Sequence, residues 1–270
     1  MLIKKVGHVK KPIGIFDSGL GGLTVFKEVR RLLPKEDIVY FGDTARVPYG
    51  TKSQETIKRF AGEISSYFKS INVKAVVVAC NTVSSLALDE VKKNSKVPVI
   101  GVIKPGAIEA AGASKKGKIA VIGTEATVKS KAYETELKKI NPYFKVIQKA
   151  CPLFVPIVEE GWAGKKISFE IAKEYLKDLK KENPETLILG CTHYPMLLKE
   201  INSILPDVKI INSAESVAKF LIDELSVEGF LEQKGKGKNY FYVSDAPEKF
   251  SKLAFSLLKI KAKKVLIKRF

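Results

Sequence analysis

Ile13-Gly14-Ile15-Phe16-Asp17-Ser18-Gly19-Leu20-Gly21-Gly22-Leu23-Thr24 passes from a short apolar run, through an acid and a hydroxyl, into a glycine-rich turn. An amphipathic segment at residues 23–33 follows and is stopped by Pro34. A wholly apolar strand that hands over to a helix is the unit of an α/β protein. Its parallel sheet is covered on both faces and therefore reads as unbroken Val and Ile rather than as an alternation. Runs of the same kind recur at residues 38–41, 75–79, 97–102, 119–122, 144–147, 187–189 and 208–211. Helical stretches lie between them, among them residues 53–70, which Thr51 and Gln54 are expected to open as a capping box. The alternation predicts an α/β fold with mostly parallel sheets.

The chain states one pattern twice. The turn at Asp17-Ser18-Gly19 is followed by Val78-Ala79-Cys80-Asn81-Thr82, and a comparable turn at Val121-Ile122-Gly123-Thr124 is followed by Leu189-Gly190-Cys191-Thr192-His193. Each half thus ends one strand in a hydroxyl-bearing turn and another in a cysteine at a helix start. The expected boundaries are Lys104-Pro105, where a strand meets a Pro-Gly pair, and Asn212-Ser213, where the chain returns. This gives a first α/β domain of residues 1–104 plus 213–270, on the Cys80 side, and a second of residues 105–212, on the Cys191 side. Ligands of open α/β sheets bind beyond the carboxyl ends of the strands. Two similar domains related by a pseudo-twofold would therefore put both cysteines on one cleft.

With 270 residues, 45% of them hydrophobic, the chain has enough apolar side chains for a real core, which excludes disorder and collagen-like readings. Lys and Arg number 47 against 29 Asp and Glu, for a formal charge of +18. A polyanion, an anionic membrane surface or a small acidic substrate would each suit that field. Only five of the cations are Arg (30, 31, 46, 59 and 269), and Lys is the poorer residue for bidentate reading of guanine or phosphate. From Lys234 onward there are eleven Lys and Arg against Asp245 and Glu248, so half of the excess sits at one end. Residues 234–238, alternating Lys and Gly, read as a turn before a short strand at 240–244. Three separated cysteines offer neither a disulfide framework nor a metal-binding spacing, which fits a reducing, cytoplasmic compartment. Met1 to His8 has no apolar core of a leader, and no apolar run approaches a membrane span.

Several residues can carry chemistry. Cys80 closes a strand before a helix start, where free N–H groups are expected to lower a thiol pKa from about 8.5 toward roughly 3.5–7.5. Cys191 repeats the arrangement, with His193 beside it. Cys151 lacks polar neighbours and reads as structural, and His8 carries little. Two thiols facing one cleft suit inversion at a carbon acid: one takes a proton from one face while the other supplies a proton to the opposite face. Acid–base catalysis contributes about 10² to 10⁴-fold, so stabilisation of the developing carbanion must supply more. Asp17 can hold an ammonium while Ser18 and backbone N–H groups meet a carboxylate. The turn at Val47-Pro48-Tyr49-Gly50-Thr51 can line the cleft, and one acid of Glu159-Glu160 can enter it.

Phe16 to Thr24, Val47-Pro48-Tyr49-Gly50, Ala79-Cys80-Asn81-Thr82, residues 155–161 and Gly190-Cys191-Thr192-His193-Tyr194-Pro195, taken as an ordered set, resemble the glutamate racemases of the aspartate/glutamate racemase superfamily. The resemblance runs from about Pro12 through Phe241-Tyr242-Val243-Ser244-Asp245 to the end. It implies cofactor-independent interconversion of L- and D-glutamate, supplying D-glutamate for peptidoglycan, in a cytoplasmic homodimer. It also implies Cys80 as the acid–base group for the D-isomer and Cys191 for the L-isomer, assisted by Asp17, Glu159 and His193. Substrate contacts carried over in the same way are Asp17, Ser18, Tyr49, Gly50, Asn81, Thr82, Thr124, Thr127, Thr192 and His193. No metal, no membrane and no obligatory nucleic acid are implied. Only eleven residues precede Pro12, so activation by a peptidoglycan precursor, a property of members with a longer N-terminal extension, is not expected.

Two other readings compete. Racemisation of aspartate or another acidic amino acid would use the same turns, and a basic nucleic-acid-binding protein would use the Lys-rich end. The second lacks an arginine cluster or an interleaved aromatic stripe. A pyridoxal-phosphate racemase would need a lysine in a recognisable phosphate site, and none stands in one.

Overall fold

The structure, a computed structural model, describes residues 10–262 and 264–270, so His8 and the rest of the N-terminal segment lie outside it. The strands among the described residues are β1 (Ile13–Asp17), β2 (Ile38–Gly42), β3 (Ala75–Val78), β4 (Val99–Gly101), β5 (Lys118–Gly123), β6 (Lys145–Ala150), β7 (Thr186–Gly190), β8 (Lys209–Ile211), β9 (Asn239–Val243) and β10 (Val265–Ile267). Helices α1 (Leu23–Leu32), α2 (Gln54–Ser70), α3 (Asn81–Leu86), α4 (Leu88–Asn94), α5 (Ile103–Ala113) and α6 (Glu125–Lys129) occupy the first half. The second half holds α7 (Ala132–Ile140), α8 (Phe154–Glu159), α9 (Lys166–Glu182), α10 (Leu198–Ile204), α11 (Ser213–Val227) and α12 (Pro247–Leu258).

The strands form two sheets, ordered β10-β9-β2-β1-β3-β4 and β6-β5-β7-β8. Every pairing among the described residues is parallel. The order β2-β1-β3-β4 in the larger sheet is repeated as β6-β5-β7-β8 in the smaller one, so the twofold pattern in the sequence is a repeat of topology. The fold is α/β, two similar parallel sheets each wrapped by helices. β1, β2, β3 and β7 are buried along their whole length, as strands covered on both faces must be. The chain passes between the sheets through α5, and α11, packed against both α1 and α5, carries it back.

Each apolar run of the sequence coincides with a strand, with ends displaced by at most two residues except at β6, which runs three residues beyond the run at 144–147. β10 went unread, because it is three residues long and leaves Leu266 and Ile267 exposed, so it has neither length nor burial to mark it. The expected capping box is also corrected. Thr51 lies in a 3-10 turn, Tyr49–Thr51, with its hydroxyl toward Pro48 O at 3.5 Å. Ser53 is the cap of α2, accepting Thr56 N–H at 3.2 Å. None of the described helices is long and apolar enough to cross a membrane.

The corrected cap makes a clean comparison. Ser53→Ala strands the Thr56 N–H and should cost about 1 kcal/mol in urea unfolding, whereas Thr51→Ala should change stability by only a few tenths.

Candidate active site

In a β2-β1-β3-β4 sheet the strand order reverses between β1 and β3, and the loops leaving those two strands diverge to open a crevice. In the larger sheet these loops begin with Asp17-Ser18 and Cys80-Asn81-Thr82; in the smaller they begin with Thr124 and Cys191-Thr192-His193. The two crevices face each other. Ser18, Pro48, Tyr49, Gly50, Cys80, Asn81, Thr82, Thr124, Val155, Cys191, Thr192 and His193 line one shared cavity. Its free space is about 20 Å³, room for little more than a water, so a larger ligand enters only when the walls part.

The walls touch closely. A β-carbon on Gly21 would run into Thr192 Oγ1 and His193 Nδ1, and one on Gly50 would lie 2.5 Å from the Thr124 β-carbon, so both positions need glycine. Thr192 Oγ1 donates to Asp17 Oδ2 at 3.1 Å. Asp17 also receives the N–H of Gly19, at 3.0 Å to Oδ1, and that of Gly22. Hydroxyls of Thr82 and Thr124 meet at 3.0 Å across the cleft, and Thr127 continues the chain at 3.0 Å behind Thr124. Asn81 Oδ1 accepts from the Tyr133 hydroxyl at 2.7 Å, which orients its amide. Asp17, Glu159 and Thr127 stand behind the lining rather than in it. Cys151 sits in the apolar cluster of the smaller sheet and does not line the cavity.

The two thiols have different surroundings. His193 Nδ1 lies 3.8 Å from Cys191 Sγ, and its Nε2 lies 2.7 Å from Glu159 Oε1. Burial opposes charge on the ring, but the hydrogen bonds and charges of Cys191 and Glu159 prevail and hold the His193 pKa well above its usual value. Glu159 is pulled down despite its burial, by His193, by Lys249 and by the Leu20 N–H. Both shifts favour the imidazolium–carboxylate form of the pair, in which Nδ1 faces Cys191.

Cys80 departs from the sequence expectation. Burial first, and then the charge of Asp17, push its pKa up to about 12. The Val83 N–H and the Ser18 hydroxyl bond its sulfur but do not offset this. The expectation of a lowered pKa weighed the helix start alone. α3 has only six residues, and the low-dielectric surroundings beside a carboxyl dominate. Asp17 is itself raised by burial, with His193 and its N–H partners opposing.

Sequence reasoning missed Asp43 and Arg46. The Tyr49 hydroxyl donates to Asp43, so Tyr49 meets the cavity with ring and backbone while its phenol is engaged elsewhere. An acid directly after β2, matching Asp17 at the end of β1, was the available signal.

The Asp/Glu/Hydantoin racemase family model matches residues 13–221. The chain belongs to this family. It is 47% identical over 242 residues to a glutamate racemase of Geobacter metallireducens, covering 89% of this chain and 90% of that one. Its fold matches a glutamate racemase of Francisella tularensis in complex with D-glutamate, with TM-score 0.90, 40% identity and 97% coverage of both chains. It also matches a glutamate racemase isoform of Bacillus anthracis, with TM-score 0.92 and 40% identity over 97% of this chain and 98% of that one. Family membership makes the protein an isomerase, a racemase of amino-acid type.

The racemase contains only two histidines, His8 and His193, so its imidazole NMR signals can be assigned by one substitution. His193 is raised, so its protonation stabilises the fold fully below about pH 6.5 and is lost as pH climbs through the raised value; Glu159 is lowered, so its share is full above about pH 4.5 and lost as pH falls through the lowered value. The single interaction they share is thus complete between those two values. In the intact racemase the His193 signal should remain that of imidazolium well past pH 6.5, and in Glu159→Gln its midpoint should move down. An unmoved midpoint would contradict the pairing.

Proposed function

We propose that this racemase interconverts L- and D-glutamate without a cofactor, using Cys80 and Cys191 as its two acid–base groups. The cleft lies between a domain of residues 1–104 plus 213–270 and a domain of residues 105–212. The observation that carries the reading is that one small cavity is lined by two thiols, each from the loop after the equivalent strand of a repeated sheet. A substrate α-carbon held between them would present its proton to one sulfur and its opposite face to the other.

The surroundings support one distribution of the protons. Cys80, raised to about 12, keeps its proton at neutral pH and is poised to deliver it. Cys191 has the His193 Nδ1 within reach, so a proton can pass between sulfur and ring while Glu159 holds the ring in place. Removal of a proton by Cys191 and delivery by Cys80 turns L into D. The return path requires Cys80 to lose its proton and Cys191 to carry one. Asp17, next to Cys80 and hydrogen-bonded to Thr192, is the group placed to assist that exchange. Ser18, Asn81, Thr82, Thr124 and Thr192, with the Tyr49–Gly50 backbone and Thr127 behind, supply hydroxyl, amide and N–H groups for the substrate carboxylates and ammonium. These fixed dipoles, in a water-poor site, favour the carbanion more than they would in water.

Glutamate rather than aspartate is supported by the glutamate racemase names of the relatives at 47% identity and of the D-glutamate complex at 40%. With that substrate come supply of D-glutamate for the cell wall, a cytoplasmic location and a homodimer. The +18 charge fits a dianionic substrate by steering rather than by contact.

Solvent deuterium exchange on each enantiomer tests the assignment. Cys80→Ser and Cys191→Ser should each lower racemisation by at least about 10³-fold, taking the loss of one acid–base group as the scale. Wild-type turnover should be much faster on glutamate than on aspartate. Full racemisation by either variant would sink the two-thiol mechanism.

A further inference from the structure

One wall of the cavity is made by a turn, residues 43–50, that lies between β2 and α2 and belongs to neither. Its far end presses Gly50 against Thr124 of the smaller sheet. What holds the near end is a set of residues outside the cavity. Asp43, fully buried at the end of β2, accepts from the Tyr49 hydroxyl and from Arg46 Nε, the latter at 2.6 Å. Arg46 Nη1 pairs with Glu63 of α2. The guanidinium carbon lies 3.9 Å from the Phe60 ring centroid and 5.7 Å from that of Phe270. Phe270 is braced in turn, with ring centroids 5.2 Å from Phe41 and 6.1 Å from Tyr67. The stem of the turn is tied to the loop after β9, where Ala45 N donates to Ser244 Oγ at 2.8 Å and Asp245 N to Thr44 Oγ1 at 3.0 Å.

A planar cation can lie flat on a ring and present rigidly spaced N–H donors to two carboxylates, a geometry that a compact ammonium does not reproduce. We propose that Arg46, set against the rings of Phe60 and Phe270 and paired with Asp43 and Glu63, is the positioning residue that holds the Tyr49–Gly50 wall of the substrate cavity. Phe270 is the strut that keeps it there. The inference deepens the glutamate racemase reading and rests on it for the ligand alone. Nothing in the clamp touches the reacting atoms, so loosening it should spoil how the substrate is held more than how its proton moves.

Steady-state kinetics and thiol labelling of the full chain test this together. Phe270→Ala and Arg46→Lys should raise KM for both enantiomers by about 10-fold and leave kcat within about twofold. The effect on kcat/KM must be equal in the two directions, because the enantiomers are equal in free energy. Phe270→Tyr, which keeps the ring, should restore the wild-type KM, and Phe255→Ala, an exposed aromatic of α12, should change nothing. Iodoacetamide should alkylate Cys80 several-fold faster in Phe270→Ala than in wild type or Phe270→Tyr, as read by mass spectrometry after brief exposure. An unchanged KM and unchanged labelling in Phe270→Ala would overturn the clamp, as would a loss of kcat as large as that of kcat/KM. Should Arg46→Lys fail to fold, by circular dichroism, the Phe270 pair still decides. If the wild-type chain does not turn over glutamate, the functional reading fails, while the labelling rates still judge the clamp.

Discussion

Two parallel sheets of the same strand order meet with the carboxyl ends of their central strands opposed, and the hydrogen bond from Thr192 to Asp17 spans the junction. Everything chemical about the protein depends on that opposition. A crevice at a strand-order reversal offers one set of loop residues to a ligand; two crevices face to face offer a set from each side. Inversion at carbon needs groups on opposite faces of the same atom, which a repeated fold supplies directly. The close approach at Gly21 and Gly50 shows how little slack the arrangement leaves.

The repeat does not extend to electrostatics. On the smaller-sheet side an imidazolium, held by Glu159, faces Cys191; on the larger-sheet side a carboxyl faces Cys80. Burial beside an acid raises Cys80, whereas a histidine ring rather than a carboxyl stands next to Cys191. In the proposed two-thiol reaction each turnover leaves the proton exchanged between the two sulfurs, so a second turnover in the same direction first requires that exchange to be undone. Asp17 and His193 are the charged groups beside the two sulfurs, and the charge of His193 acts on Asp17.

The extension of the larger sheet by β9 and β10 gives the Lys-rich end a structural setting. Lys268 N–H donates to Val243 O at 2.8 Å, and Phe270 reaches back to Phe41 and Tyr67. The segment carrying half of the excess charge thus sets Phe270 against Phe41 and Tyr67 while it leaves Arg269 largely in solvent. A diffuse positive field around a small anionic substrate requires no contact with these cations.

The amino-acid sequence by itself determined the fold class, the repeat and the two cysteines, because each is a local signal. Buried parallel strands show as Val and Ile runs, and residues at the strand ends follow directly in the chain. It could not determine the state of Cys80, since the helix start is local whereas the burial and the Asp17 charge that outweigh it come from segments far apart in sequence. The helix cap at Ser53 rather than Thr51 turned on two residues and a backbone angle. The Asp43–Arg46–Phe270 cluster joins positions more than two hundred residues apart, and no periodicity points to such a contact. Tertiary structure alone decided these features, because desolvation and long-range stacking exist only once the chain has closed on itself.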